Sequence, residues 1–182
     1  TLAISSAASD VYKRQENGRG NPSINTNNAI DNCSGEIIKI FQQDDFFYDT
    51  EAVEKMYNAL SNSDASWLVC GAVHTRDDGH TFFNPMYPRW DDKIITEAEH
   101  NFVGGVSVTT IKNEVKVRYD ADLRMLLDVD FYYHTMLEYG MPIFYRDTLV
   151  CNRVRDDNTL MAEVTPEEVQ EEFDFCKKKY DL

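Results

Sequence analysis

Two groups of carboxylates are the residues of this chain whose type and spacing could do chemistry. Asp44 and Asp45 follow the run Ile37-Ile38-Lys39-Ile40-Phe41 almost at once, and Asp128 and Asp130 open inside the apolar run Leu126 to Leu137. Charges at the end of an oily strand are costly unless paired or used. Adjacent carboxylate oxygens there could hold a hard divalent cation. The alternative is that the pair merely caps a following helix. Asp128 and Asp130, two apart, point to different faces of a helix, so one at most can aim at a given site. A helix first turn also attracts acids for its own sake. Asp77-Asp78, Asp91-Asp92 and Asp156-Asp157 read as solvated loop residues.

Positioning these acids requires an α/β framework. Ile37, Ile38, Ile40 and Phe41 have the character of a strand buried on both faces. Asp49 or Thr50 can cap the next helix, whose apolar stripe is Val53, Met56, Tyr57 and Leu60. A strand passing straight into a helix puts Asp44 and Asp45 at the carboxyl edge of a sheet, where ligands of such sheets bind. Further strands are expected over Ser66–Val73, Val115–Arg118 and Ile143–Val150, and helices over Ile24–Asn32 and Leu123–Tyr139, the latter stopped by Gly140. His74 to Asp92 is a long aromatic-bearing irregular segment of the kind that usually serves function. The last helix is the best marked. Thr165 caps it, Pro166 takes its first position and Glu168 closes a capping box, with a stripe of Val169, Phe173, Cys176 and Tyr180.

Bulk properties narrow the function classes. The 182 residues suffice for one domain with a full core. A net charge of −14 argues against a nucleic-acid partner and an anionic membrane face. No apolar run reaches membrane-spanning length. Cys33, Cys70, Cys151 and Cys176 lie far apart without C-x-x-C or histidine pairs, so free thiols and a cytoplasmic location are expected. Thr1 to Gln15 looks foreign, like translated adaptor sequence, which leaves 16–182 as the credible domain.

The order N-x-A-I-x-x-C-x-G-E-I-I-x-I-F-x-x-D-D from Asn27 to Asp45, then Gly104-Gly105-Val106-Ser107, then Asp128-Val129-Asp130-Phe131-Tyr132-Tyr133, resembles the GT-A-fold glycosyltransferases of the family-2 type. Their usual pattern is roughly R-N-x-G-I-x-x-A-x-G-E-Y-I-x-F-L-D-S-D-D, with a later G-G-x-S-like turn and an E-D or D-x-D before an aromatic helix. The resemblance runs from about Asn17 to about Asn158. It implies a partial GT-A fold, Rossmann-like, with a mixed sheet flanked by helices. The first strand–helix units, which hold the nucleotide base in that family, are missing from the pattern.

The resemblance implies a concrete site. Asp44 matches the last acid of the D-x-D motif and Asp45 the acid that often follows, so they would bind Mn2+ or Mg2+. Gly104, Gly105 and Ser107 match the acceptor-side turn, and Asp128 the general base. Asn101, Trp90, His74 and Asp130 are candidates for the acceptor or sugar pocket. The expected activity is inverting transfer from a nucleotide sugar to a hydroxyl of a glycan or lipid-linked acceptor. This sequence departs from the family in three places. Gln42, with Gln43 beside it, stands where the first acid of the motif usually sits, so donor contacts there must be neutral hydrogen bonds. Leu127 replaces the acid before Asp128. Arg153 and Arg155 stand near the final strand in place of a metal-binding histidine; they cannot ligate metal but can neutralise diphosphate. A non-catalytic carbohydrate- or partner-binding module that kept the fold is the alternative. A phosphohydrolase would need a further acid or histidine cluster in place of the glycine turn, and the sequence has none.

Overall fold

The computed structural model describes residues 2–3, 20–97, 99–154 and 164–182. Arg155 and most of the first fifteen residues lie outside them. The elements are β1 (Leu2–Ala3), α1 (Pro22–Asp31), β2 (Ile37–Lys39), β3 (Phe46–Phe47), α2 (Ala52–Ser61), β4 (Trp67–Thr75), β5 (Phe83–Met86), a 3-10 turn (Val106–Val108), β6 (Thr109–Lys112), α3 (Leu127–Tyr139), β7 (Ile143–Arg153) and α4 (Pro166–Lys179). They form an α/β fold whose strands make one mixed sheet in the order β1-β2-β6-β4-β7-β3, with β5 on β4. The pairs β1–β2 and β4–β7 are parallel, and the remaining pairs are antiparallel.

β4 is the spine. Trp67 to Val73 are all buried, because the strand has neighbours on both edges and cover on both faces. Its ladder with β7 shifts register on either side of Gly71. A Cβ there would meet the Asp147 backbone oxygen at 2.8 Å, and backbone cannot swing aside. Gly71→Ala is therefore expected to destabilise the fold by about 1–3 kcal/mol, read from the midpoint of urea unfolding.

The last helix forms as its sequence dictates. The Thr165 hydroxyl accepts from Glu168 N at 3.2 Å and Thr165 N donates to Glu168 at 2.7 Å. Phe173 and Cys176 are buried against the core. α1 begins two residues before the expected start, because Pro22 takes the first helical position and Asn21 accepts from Ile24 N at 3.0 Å. None of the four cysteines is in a disulfide. Among the described residues no helix is long and apolar enough to cross a membrane.

The segment from His74 to Asp92, expected to be irregular, holds the end of β4 and all of β5. α2 has Glu51 at its N-cap without a side-chain bond. Three further expectations change. Asp44 and Asp45 do not lie between a strand and a helix. They occupy a turn between β2 and the two-residue β3, where Phe46 and Phe47 pair with Cys151 and Val150 of β7. Val115–Arg118 forms no strand. The segment after it is held by the Asn27 side chain, which donates to Tyr119 O and accepts from Tyr119 N, both at 2.8 Å, imitating a backbone ladder rung. Leu2–Ala3, in a stretch expected to lack regular structure, pairs with Ile37–Ile38.

Candidate active site

The acids of the β2–β3 turn differ in their surroundings. Asp45 is enclosed. Its carboxylate accepts from Asn152 Nδ2 at 2.8 Å and from Arg153 N at 3.2 Å, both at the end of β7. The Ser107 hydroxyl nearby favours its charged form. Burial still pushes its pKa above the ordinary carboxylate value, aided by the neighbouring charge of Asp44. Asp44 is half-buried and makes no side-chain hydrogen bond among the described residues. One acid is thus tied into the framework, and the other has its oxygens available.

Ser107 links this turn to the glycine segment. Its oxygen accepts from Gln42 N at 2.9 Å. Beneath it lies the buried Lys39, whose ammonium donates to the Ser107 and Thr109 carbonyls. Burial lowers that ammonium to about 8, so it stays largely charged at neutral pH. Lys39 was unassigned by the sequence because its strand reads as apolar; a lysine inside such a run was the available signal. Gly104 has φ +116°, and a Cβ on it would press on Val108 at 3.2 Å. That conformation needs glycine. Gly105 faces open space, and its carbonyl accepts from the Tyr132 hydroxyl at 2.9 Å.

Asn101 carries the chain of bonds onward. Its Oδ1 accepts from Val103 N at 3.1 Å and Gly104 N at 3.2 Å. Its Nδ2 donates to Gly104 O at 3.2 Å and to Asp128 Oδ2 at 3.3 Å. Asp128 Oδ1 accepts from Val129 N at 2.8 Å. Half-buried beside Tyr119 and Tyr132, the Asp128 carboxyl is raised to about 6, burial being the main cause. Hydrogen bonds and the short backbone run from Gly104 to Ser107 therefore connect Asp45, by way of Gln42 and Ser107, to the glycine turn, Asn101 and Asp128 across three separate stretches of chain.

The other expected site residues are placed as follows. Gln42 and Gln43 are exposed at the turn. Arg153 has its Nε 3.2 Å from Asp78, an ion pair not aligned as a hydrogen bond, and its guanidinium lies 5.7 Å from the Phe46 ring. His74 pairs across the sheet with Asn152, while its ring meets Asn84 O at 3.1 Å. Trp90 stacks on Tyr133 of α3 at 6.5 Å and donates to Asp92 at 3.0 Å. Asp130 needs correction as a pocket residue. It is fully buried, bonded to Lys179 at 2.9 and 3.0 Å and to the Tyr180 hydroxyl at 2.8 Å, and so is turned to α4. Breaking that pair from one side leaves a buried charge, so Lys179→Met should cost about 3–5 kcal/mol in thermal or urea unfolding.

The sequence matches glycosyl transferase family 2 over residues 9–111, more than half of the chain. The chain belongs to that family. The family-2 match holds both β2–β3 acids and the glycine turn; it begins inside the stretch expected to be foreign and ends before Asp128. No curated protein matches the chain. Among solved structures it is similar to S. aureus TarS 1-349 in complex with UDP-GlcNAc, at 12% identity and a TM-score of 0.64. The superposition covers 91% of this chain and 50% of that one, so the chain spans about half the length of the structure it matches. This likeness, over nine-tenths of the chain, is one of fold.

Divalent-metal dependence, common in the family, can be weighed against these side chains. Among the described residues no three His, Cys, Asp or Glu side chains converge on one point. Of the two acids in the β2–β3 turn, Asp44 makes no side-chain hydrogen bond among the described residues, and Asp45 is tied to Asn152 and Arg153. Such a set fits Mg2+ or Mn2+ arriving with phosphates, because these ions are commonly held by one or two carboxylates plus substrate oxygens.

Proposed function

We propose that the chain is the carboxyl-terminal portion, residues 16–182, of a metal-dependent family-2 glycosyltransferase domain. In this reading it moves a sugar, with inversion, from a nucleotide-sugar donor to a hydroxyl of a glycan or lipid-linked acceptor, in the cytoplasm. The observation that supports the reading is the connection from Asp45 through Gln42, Ser107 and Asn101 to Asp128, which makes the acid turn and a raised carboxyl parts of one framework. UDP-GlcNAc, the ligand of the TarS structure, is the first donor to try.

Each residue then has a task. Asp44 would hold the divalent ion, which when bound supplies positive charge to the departing diphosphate. Gln42 and Gln43 offer neutral hydrogen bonds to the donor, and Arg153 can exchange Asp78 for a phosphate oxygen. Arg155 is assigned the same role from sequence. Asp128 takes the proton from the acceptor hydroxyl as it attacks the anomeric carbon from the face opposite the leaving group. A carboxylate raised to about 6 is mostly unprotonated at neutral pH yet more basic than an ordinary one, which suits a general base. Asn101, itself fixed by Gly104, holds that carboxylate, with Trp90 and His74 at the margin.

The test is sugar-nucleotide turnover with Mn2+ in this chain joined to upstream nucleotide-binding units. Activity abolished by chelator and restored by Mn2+ is the expected result. A specific observation favours the second reading, a non-catalytic carbohydrate- or partner-binding module: Gln42 replaces the first motif acid. That reading requires ligand binding indifferent to chelator and no turnover.

A further inference from the structure

The segment that presents Asp128 has no cap of its own. Leu123-Arg124-Met125-Leu126 offers no Ser, Thr, Asp or Asn oxygen, and Leu126 stands at the N-cap of α3 without a side-chain bond. Three successive backbone donors would go unmet there. Glu172 of α4 meets them. It accepts from Arg124 N at 2.9 Å through Oε1, and from Met125 N at 3.0 Å and Leu126 N at 2.8 Å through Oε2. A single carboxylate from some 46–48 residues away thus seats the start of the helix. Negative charge at that end is also favoured by the helix dipole.

The same helix grips α3 on the other side of Asp128. Lys179 bonds Asp130 and also reaches Asp120 at 2.8 Å, and the Tyr180 hydroxyl adds a bond to Asp130. Between the two grips, Phe173 and Cys176 are buried. Asp128 lies two residues beyond Leu126 and two before Asp130. Its own side chain bonds only Asn101 and Val129 N among the described residues. Nothing in those two bonds fixes the helix end itself.

We propose that Glu172 is a positioning residue for the site: by seating the three amide groups before α3, it holds Asp128 against Asn101 and the glycine turn. Nothing in the family match assigns this role, since Glu172 lies far beyond residue 111. The proposal rests on the reading of Asp128 as the base. If Glu172 is lost, the first turn of α3 frays, water reaches the carboxyl and the bond to Asn101 loosens.

The experiment is carbon-detected NMR of the 182-residue chain, following the Asp128 carboxyl through a pH titration together with the Asn101 side-chain amide. Tyr119 and Tyr132, the titratable groups beside Asp128, stay neutral over that range. Glu172→Ala should lower the Asp128 midpoint by about one pH unit, toward a solvated carboxylate, and shift the Asn101 amide. Added formate, which can refill the three-donor seat, should reverse both changes. Glu172→Gln, of the same size but uncharged, should give a smaller shift in the same direction and serves if the alanine variant fails to fold. An unchanged Asp128 midpoint and Asn101 amide in a folded variant would overturn the proposal, as would changes that formate leaves untouched. Because no donor is present, the result is readable even if the chain transfers no sugar. Turnover surviving the loss of the Asp128 carboxylate would instead remove the base assignment while leaving the tether intact.

Discussion

Asp128→Asn is expected to reduce sugar transfer by about 10²–10⁴-fold, the usual contribution of a general base, while making the protein more stable. The two effects share one cause. Burial raises the Asp128 carboxyl to about 6 from its ordinary 3.8, so the folded state holds its proton more tightly than the unfolded chain. Stability from such a group is fully present below the unfolded value and declines as pH rises from about 4 through about 6. Above that, the charged carboxylate opposes folding by up to about 3 kcal/mol, from roughly two pKa units at 1.36 kcal/mol each. That figure is already net of the bonds from Asn101 Nδ2 and Val129 N, which favour the charged form. Asparagine removes the charge but presents an amide where a donor now points, so the net gain should be smaller. Urea midpoints at pH 4 and pH 8 would check this: the variant should match or trail the wild type at pH 4 and exceed it at pH 8. In the wild type, kcat/KM should fall on the acid side with a midpoint near 6, and that limb should vanish in the variant.

Asp44→Ala and Asp45→Asn should separate metal binding from architecture. Asp44 has no partner to lose among the described residues, so its removal should leave the melting temperature nearly unchanged. It should cut turnover by about 10²–10³-fold, the several kcal/mol of charge stabilisation that a bound divalent ion supplies, with part of the loss recovered at high Mn2+. Asp45→Asn should do the reverse in proportion. Its oxygens accept from Asn152 Nδ2 and Arg153 N, and an amide nitrogen cannot accept. An unmet buried donor costs about 1–3 kcal/mol, which thermal melts would show directly. Equal stability losses in the two variants would contradict the division of labour between them.

The sequence made the framework readable wherever local chemistry decides it. Thr165, Pro166 and Glu168 specify a helix start almost alone, and the capping box is present. β2 followed from four apolar residues among five, Ile37, Ile38, Ile40 and Phe41. β3 escaped because two residues carry no period, and Phe46-Phe47 reads equally well as helix or strand. Val115–Arg118 alternates like a strand, but its continuation pairs with the side chain of Asn27, ninety-two residues earlier, and not with another strand. The candidate site divides in the same way. Residue types and order pointed to Asp44, Asp45, the glycine turn and Asp128. Which acid is tied and which is open depends on Asn152, Arg153 and Ser107, contributed by β7 and the glycine turn. Asp130 read as a possible pocket acid until Lys179 and Tyr180 folded back onto it. Tertiary partners of this kind leave no trace in local spacing.

The central claim is that Asp44, which would hold the ion at the donor diphosphate, and Asp128, which would take the acceptor's proton, serve one site. Paramagnetic broadening tests it most directly, using Mn2+ and UDP-GlcNAc with the chain joined to upstream nucleotide-binding units. Bound Mn2+ should broaden the amides of residues 42–45 most, those of residues 104–107 next, and Asp128 measurably, with all three lost together in Asp44→Ala. Broadening that reaches residues 42–45 while leaving 104–107 and Asp128 sharp would contradict the account.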